Sequence, residues 1–237
     1  MTERRELVAL VSRLKSARVL VVGDVMVDHF QYGKVDRISP EAPIPVLKVD
    51  RGNTMLGGAG NVVRNLRSLN AKVRFVTVTG SDSAGRDVAR MIKKQKIQDK
   101  PLIEDGRTTT TKTRYIAGVQ QILRADHETS NSLSPKVEAN LIKSVTSAMK
   151  ACSTIVLSDY GKGALSSSAC KKIIRLSAKS KKIIIVDPKG TDFSRYSGAD
   201  LITPNRQELS EAVGFNIETD TDVVRASKLL IKRYNFG

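Results

Sequence analysis

Leu56-Gly57-Gly58-Ala59-Gly60-Asn61 decides the fold, because it joins a β-rich segment to an amphipathic helix. Glycines there remove Cβ atoms where backbone must approach something polar. The helix they open offers unpaired N–H groups and the positive end of its dipole. Asn61 adds a neutral side chain that both donates and accepts hydrogen bonds, which suits a sugar hydroxyl. Two familiar phosphate motifs do not fit. A dinucleotide fingerprint needs glycine at position 63, which is Val63, and the Gly-Lys pairs at Gly33-Lys34 and Gly161-Lys162 lack the Ser/Thr of a P-loop. An ordinary tight strand-to-helix turn uses the same residues, so the surroundings must decide.

Upstream, Val19-Leu20-Val21-Val22 is wholly apolar and ends at Gly23-Asp24, the pattern of a buried parallel strand. The segment from Phe30 to Asp50 holds extended stretches broken by Ser39-Pro40-Glu41-Ala42-Pro43. Prolines confine such strands to edges, so these predict a small sheet outside the main layer. A second extended pair, Thr111 to Ala117 and Gln120 to Arg124, completes it. Downstream, strands near 73–77, 154–157, 183–186 and 200–202 alternate with helices near 58–69, 84–94, 135–149, 167–179, from Asn205, and over 220–232. That alternation predicts an α/β fold: a mostly parallel sheet with helices on both faces and a small β-sheet lid, about 30–50 and 111–124. The whole chain, 1–237, reads as one domain.

The 40% apolar and 27% charged composition is that of a globular chain. No apolar run approaches the ~20 residues that span a bilayer, so no membrane partner is expected. Residues 1–15 predict an amphipathic helix with Leu7, Leu10, Val11 and Leu14 on one face. Without an apolar signal core, the expected compartment is the cytoplasm. Cys152 and Cys170 lack disulfide or metal spacing, and two distant histidines, His29 and His127, offer little to zinc. The net charge of +16 favours phosphate-bearing partners, yet with 4% aromatics and no Trp, single-strand nucleic acid is disfavoured.

Ligands of such sheets bind beyond the carboxyl ends of the strands. Polar clusters fall there: Asp24 and Asp28; Ser158-Asp159-Tyr160-Gly161-Lys162-Gly163; Asp187-Pro188-Lys189-Gly190; and Thr203-Pro204-Asn205-Arg206-Gln207-Glu208. Asp28 suits a pair of sugar hydroxyls, while Lys162 and Lys189 suit mobile phosphates. Arg37, Arg114 and Arg124 in the outer sheet suit a phosphate on the substrate. Asn205 and Glu208, three apart, form either a capping box or a polar edge beside Mg²⁺ on nucleotide phosphates, and the two readings are compatible.

Together, Gly57-Gly58-Ala59-Gly60-Asn61, Gly23-Asp24-Val25-Met26-Val27-Asp28 and Asn205-x-x-Glu208 resemble the ribokinase-like (PfkB-type) carbohydrate kinases. Further strings at 37–46, 157–160, 187–193 and 203–205 narrow the resemblance to the kinase domains of the bacterial heptose-7-phosphate kinases, which are often fused to an adenylyltransferase. The resemblance implies ATP-dependent phosphorylation of D-glycero-β-D-manno-heptose 7-phosphate at its anomeric hydroxyl, on the route to ADP-heptose and lipopolysaccharide core. It implies that Asp28, Gly57, Gly58 and Asn61 grip the sugar. Asn205, Arg206, Gln207, Glu208 and Lys189 would serve ATP, with Glu208 reaching Mg²⁺ through water. A homodimer through the lid is implied as well. Kinases of this kind also carry a late Gly-Ala-Gly-Asp segment that supplies an anion hole and a catalytic base. None of the Gly-Ala pairs here, at 58, 163 and 198, continues Gly-Asp, and the sequence ends at Asn235-Phe236-Gly237, short of the strand that should follow. The expectation is a C-terminally incomplete kinase domain, nearly inactive alone. Another ribokinase-like sugar kinase, or a non-catalytic sugar-phosphate-binding module, is the alternative.

Overall fold

The computed structural model describes residues 2–237. Helix α1 (Thr2–Arg13) and a single 3-10 turn lead into β1 (Arg18–Gly23). Only Asp24 separates β1 from β2 (Val25–Ile38), which returns as β3 (Pro45–Gly58) and passes directly into α2 (Ala59–Ser68). Then follow β4 (Lys72–Val76), β5 (Val78–Thr79), α3 (Ser83–Lys94), β6 (Leu102–Ile103), β7 (Thr111–Ala117) and β8 (Gln120–His127). The remaining elements are α4 (Pro135–Met149), β9 (Thr154–Ser158), α5 (Ser167–Lys179), β10 (Ile183–Asp187), β11 (Leu201–Ile202), α6 (Arg206–Val213) and α7 (Asp220–Tyr234).

The main sheet has the order β11-β10-β9-β1-β4, and every pairing in it is parallel. Alternation along β1 supplies both faces. Leu20 and Val22 join a core with residues of α4, α5 and α7, whereas Val19 and Val21 join one with Val63 of α2 and Val88 and Ile92 of α3. This is the expected fold class, helices on both sides of a mostly parallel sheet. The helix ends are chemically marked: Asp82, Ser134 and Ser166 cap α3, α4 and α5 through their side chains. Capping boxes open α6 and α7.

The outer sheet, expected as a lid, has four strands in the order β3-β2-β7-β8. It is larger than the expected 30–50 and 111–124, because β2 and β3 run unbroken to their common root at Val25 and Gly58. The apolar residues at that root, Val25, Val27 and Leu56, are buried in the core, so alternation continues where turn residues had suggested a loop. Its register slips between Tyr32 and Gly33 and again between Val35 and Arg37. Helix α1 forms as expected, but Leu7, Leu10 and Val11 stay more than half exposed. No helix among the described residues is long and apolar enough to cross a membrane.

Candidate functional site

Asp28 lies inside β2, not in a turn after β1, paired with Met55 of β3 and Lys112 of β7. Its Oδ1 accepts a hydrogen bond from Arg114 Nη1 at 2.6 Å, and that guanidinium sits 5.1 Å over the Phe30 ring. A Cβ on Gly57 would stand 2.1 Å from Asp28 Oδ2, so the carboxylate rests against bare backbone there. Gly58 has φ +57° and ψ −133°, a conformation open only to glycine, and a Cβ on it would strike Asp24 O at 2.5 Å. Asn61 follows on the first turn of α2, exposed, with its Oδ1 3.5 Å from Arg64 Nη1.

Asp24 is buried and accepts from three backbone amides, Tyr160 N at 2.8 Å, Lys162 N at 3.1 Å and Ala164 N at 2.9 Å. It therefore shapes the loop after β9. In that loop Lys162 Nζ is engaged by Glu128 at 2.6 Å, and Arg107 Nη1 donates to Lys162 O at 2.7 Å. Asp159 is buried as well. Gly161 N and Tyr196 Oη donate to it at 2.8 Å each, and Arg195 Nη2 lies at 3.1 Å. Burial raises its carboxyl pKa against the opposing pull of Arg195. Burial, then the Asp159 charge, pushes the Tyr196 phenol far up, so it stays a donor. Tyr196 Oη also accepts from Lys189 N at 3.1 Å and so joins the loops after β9 and β10. Arg195 and Tyr196 were not legible as site residues, since a 3-10 turn between strands carries no motif.

Lys189 Nζ reaches Glu208 Oε1 at 3.2 Å. Glu208 Oε2 accepts from Asn205 N at 3.0 Å and Asn205 Oδ1 accepts from Glu208 N at 2.9 Å, so the capping box is present. Arg206 and Gln207 are exposed beside it, and Gln207 Nε2 donates to Glu211 Oε1 at 2.8 Å. Asp187, closing β10, has its pKa raised by burial, then by the charges of Glu208 and Asp159, while Lys189 opposes. No cluster of three or more metal-ligating side chains exists among the described residues. A cation held mainly by phosphates and water, next to under-neutralised carboxylates, is what this donor set fits.

These residues share one edge of the sheet. Backbone hydrogen bonds run from Ala59 N to Asp24 O, from Asp24 N to Ser158 O and from Asp159 N to Asp187 O, and Thr203 N donates to Val186 O. Tyr160, in the loop after β9, lies beside Gly58. Its ring carbon Cδ2 is 3.5 Å from where a Gly58 Cβ would be, and after burial its phenol is pushed up by Asp187, then Asp28 and Glu208. Of the outer-sheet arginines, Arg114 faces Asp28, Arg124 pairs with Asp126 at 2.9 Å, and Arg37 is exposed far along β2. His29 Nδ1 lies 3.0 Å from Thr54 Oγ1, and His127 pairs with Thr111 at the end of β8.

The sequence model of the pfkB family of carbohydrate kinases matches residues 16–235. The chain is 47% identical over 237 residues to the bifunctional protein HldE of Paramagnetospirillum magneticum, covering all of this chain and 49% of that protein. It is 42% identical over 220 residues to the HldE of Campylobacter fetus, covering 92% and 48%. It thus spans about half the length of these curated relatives. Among solved structures, phosphofructokinase-2 from Escherichia coli in complex with potassium superposes with a TM-score of 0.72 at 17% identity, covering 93% of this chain and 70% of that one. Arabidopsis thaliana ribokinase complexed with ribose and ATP gives 0.67 at 17%, covering 92% and 69%. At those identities the likeness is one of fold.

Proposed function

The chain belongs to the pfkB family of carbohydrate kinases, and from that premise we propose that it is the sugar-kinase part of a heptose-phosphate enzyme. The reaction is transfer of the ATP γ-phosphoryl group to the anomeric hydroxyl of D-glycero-β-D-manno-heptose 7-phosphate, feeding lipopolysaccharide core synthesis. The observation that carries this reading is the run of backbone hydrogen bonds that sets the segments at Gly58-Ala59, Asp24, Ser158-Asp159 and Asp187 side by side at the carboxyl end of the parallel sheet, with Thr203 beside Val186. The 42–47% identity to proteins named HldE supports the substrate.

Asp28 accepts from sugar hydroxyls while Arg114 holds its carboxylate in place. Gly57 and Gly58 let the sugar lie on backbone, and Asn61 donates and accepts at another hydroxyl. Arg114 and Arg124, opposite each other on β7 and β8, and Lys112 share one face of the outer sheet. Each is ion-paired, Arg114 with Asp28 and the other two with Asp126, so the phosphate of the sugar draws on them in exchange for those carboxylates. On the nucleotide side Lys189 meets phosphate, while Asn205, Arg206 and Gln207 border the nucleotide. Glu208 would hold Mg²⁺ through water, and the ion would supply neutralisation of phosphate charge there. The lid doubles as the contact between two copies.

Phosphoryl transfer also needs a base and an anion hole, and no Gly-Ala-Gly-Asp segment occurs in these 237 residues. The polypeptide therefore binds its ligands and turns over at a small fraction of the rate of a relative that has the segment. Thermal-shift titration against heptose 7-phosphate, heptose, fructose 6-phosphate and ribose tests the assignment. Heptose 7-phosphate should raise the Tm most, at concentrations well above its Kd. A larger shift with ribose would overturn the substrate, and brisk ADP release by the 237-residue chain would overturn the dependence on the missing segment.

A further inference from the structure

A cavity of about 820 Å³ along α3 shares no residue with the rim. One wall is α3, with Ala89, Arg90 and Lys93, and the other is the segment carrying Ile97, Lys100 and Ile103. Its size falls in the range of small-molecule sites, roughly 300–1,000 Å³. Ile103 is 58% exposed although it faces this hollow, so an apolar surface waits without a partner. Around it stand Arg86, Lys93 and Lys100, together with Arg90, whose charge Asp87 answers. The one acid in the lining, Asp99, is neutralised by Arg74 at 2.6 Å and by Phe75 N at 3.0 Å. Neither Lys93 nor Lys100 has a carboxylate partner among the described residues. The floor is apolar and the rim cationic.

We propose that this cavity is a second ligand site, which takes a small amphipathic organic anion: a flat apolar body carrying one sulfonate, phosphate or carboxylate group. The apolar body covers Ile97, Ala89 and Ile103, and the anionic group meets Lys93 and Lys100. Charge complementarity selects the anion. A neutral hydrocarbon leaves the lysines unanswered, and inorganic phosphate leaves the floor wet. The site is separate from the nucleotide and sugar cleft and does not depend on that assignment.

Anilinonaphthalene sulfonate is a probe of this chemistry. Titrated into the 237-residue protein, it should bind saturably at one site per chain and stay bound when Mg-ATP is in excess. Ile103→Asp, at an exposed position, should weaken binding about tenfold, and Ala89→Trp, which sets a bulky ring over the apolar wall and keeps every charge, should do the same. Lys93→Glu with Lys100→Glu should weaken it severalfold, while Lys228→Glu on α7 changes nothing. Naphthalene alone and phosphate alone should each bind at least tenfold more weakly. Circular dichroism and Tm confirm that the variants fold. Unchanged affinity in both Ile103→Asp and Ala89→Trp, or displacement of the probe by Mg-ATP, overturns the proposal.

Discussion

Gly57 has no room for a methyl group, because Asp28 Oδ2 occupies the space where its Cβ would go. Gly57→Ala should push the carboxylate off Arg114 and weaken sugar binding by at least about tenfold, ~1.4 kcal/mol, measured by titration calorimetry. Tyr196→Phe removes a donor from the buried Asp159 and an acceptor from Lys189 N. Stranding such a group costs about 1–3 kcal/mol, visible as a lower urea midpoint together with weaker Mg-ATP binding. Asp187 runs the other way. Its folded-state pKa is raised, so its charge costs stability, a cost that begins as pH climbs past the free value of about 3.9 and is complete above the folded value. Asp187→Asn should therefore raise the Tm of the ligand-free protein at neutral pH, give no gain at acid pH, and weaken Mg-ATP binding. What the sequence could offer at this scale was residue type and spacing. Asp28, Gly57, Gly58, Asn205 and Glu208 stand in order on the rim, but the tie from Tyr196 to Asp159 spans 37 positions without any local signature.

At the level of elements, periodicity located most strands and helices to within a residue or two, and α4 and α5 have the expected limits. Patterning missed the roots of β2 and β3, where Asp28 and Gly57-Gly58 imitate turn chemistry inside paired strands. The two-residue strands β5 and β6 are too short to show an alternation at all. Between elements, Glu138 ties α4 to α5 through Ser166 at 2.6 Å and Ser168 at 2.5 Å. Those hydroxyls, then Lys172, hold its carboxyl below the ordinary range. A depressed carboxyl stabilises fully above the free value, about 4.3, and the contribution vanishes as pH falls through the lower folded value. Glu138→Gln should cost about 1–2 kcal/mol at pH 7 and almost nothing in acid, as urea unfolding at the two pH values will report.

Across the whole molecule, the parallel order β11-β10-β9-β1 lines up four polar loops that are far apart in the chain. Strand alternation announced that convergence, whereas the size of the lid and the cavity along α3 depend on packing that no local pattern encodes. The root of the lid carries a mechanical consequence. Between β1 and β2 there is a single residue, and its carboxylate is fastened by three amides. A joint so pinned resists swinging. Flexure of the outer sheet falls more readily farther out, where the pairing slips beside Gly33 and Arg37. Asp28, lying inward of those slips, would then keep its station while the outer half of the ribbon bends over whatever it holds.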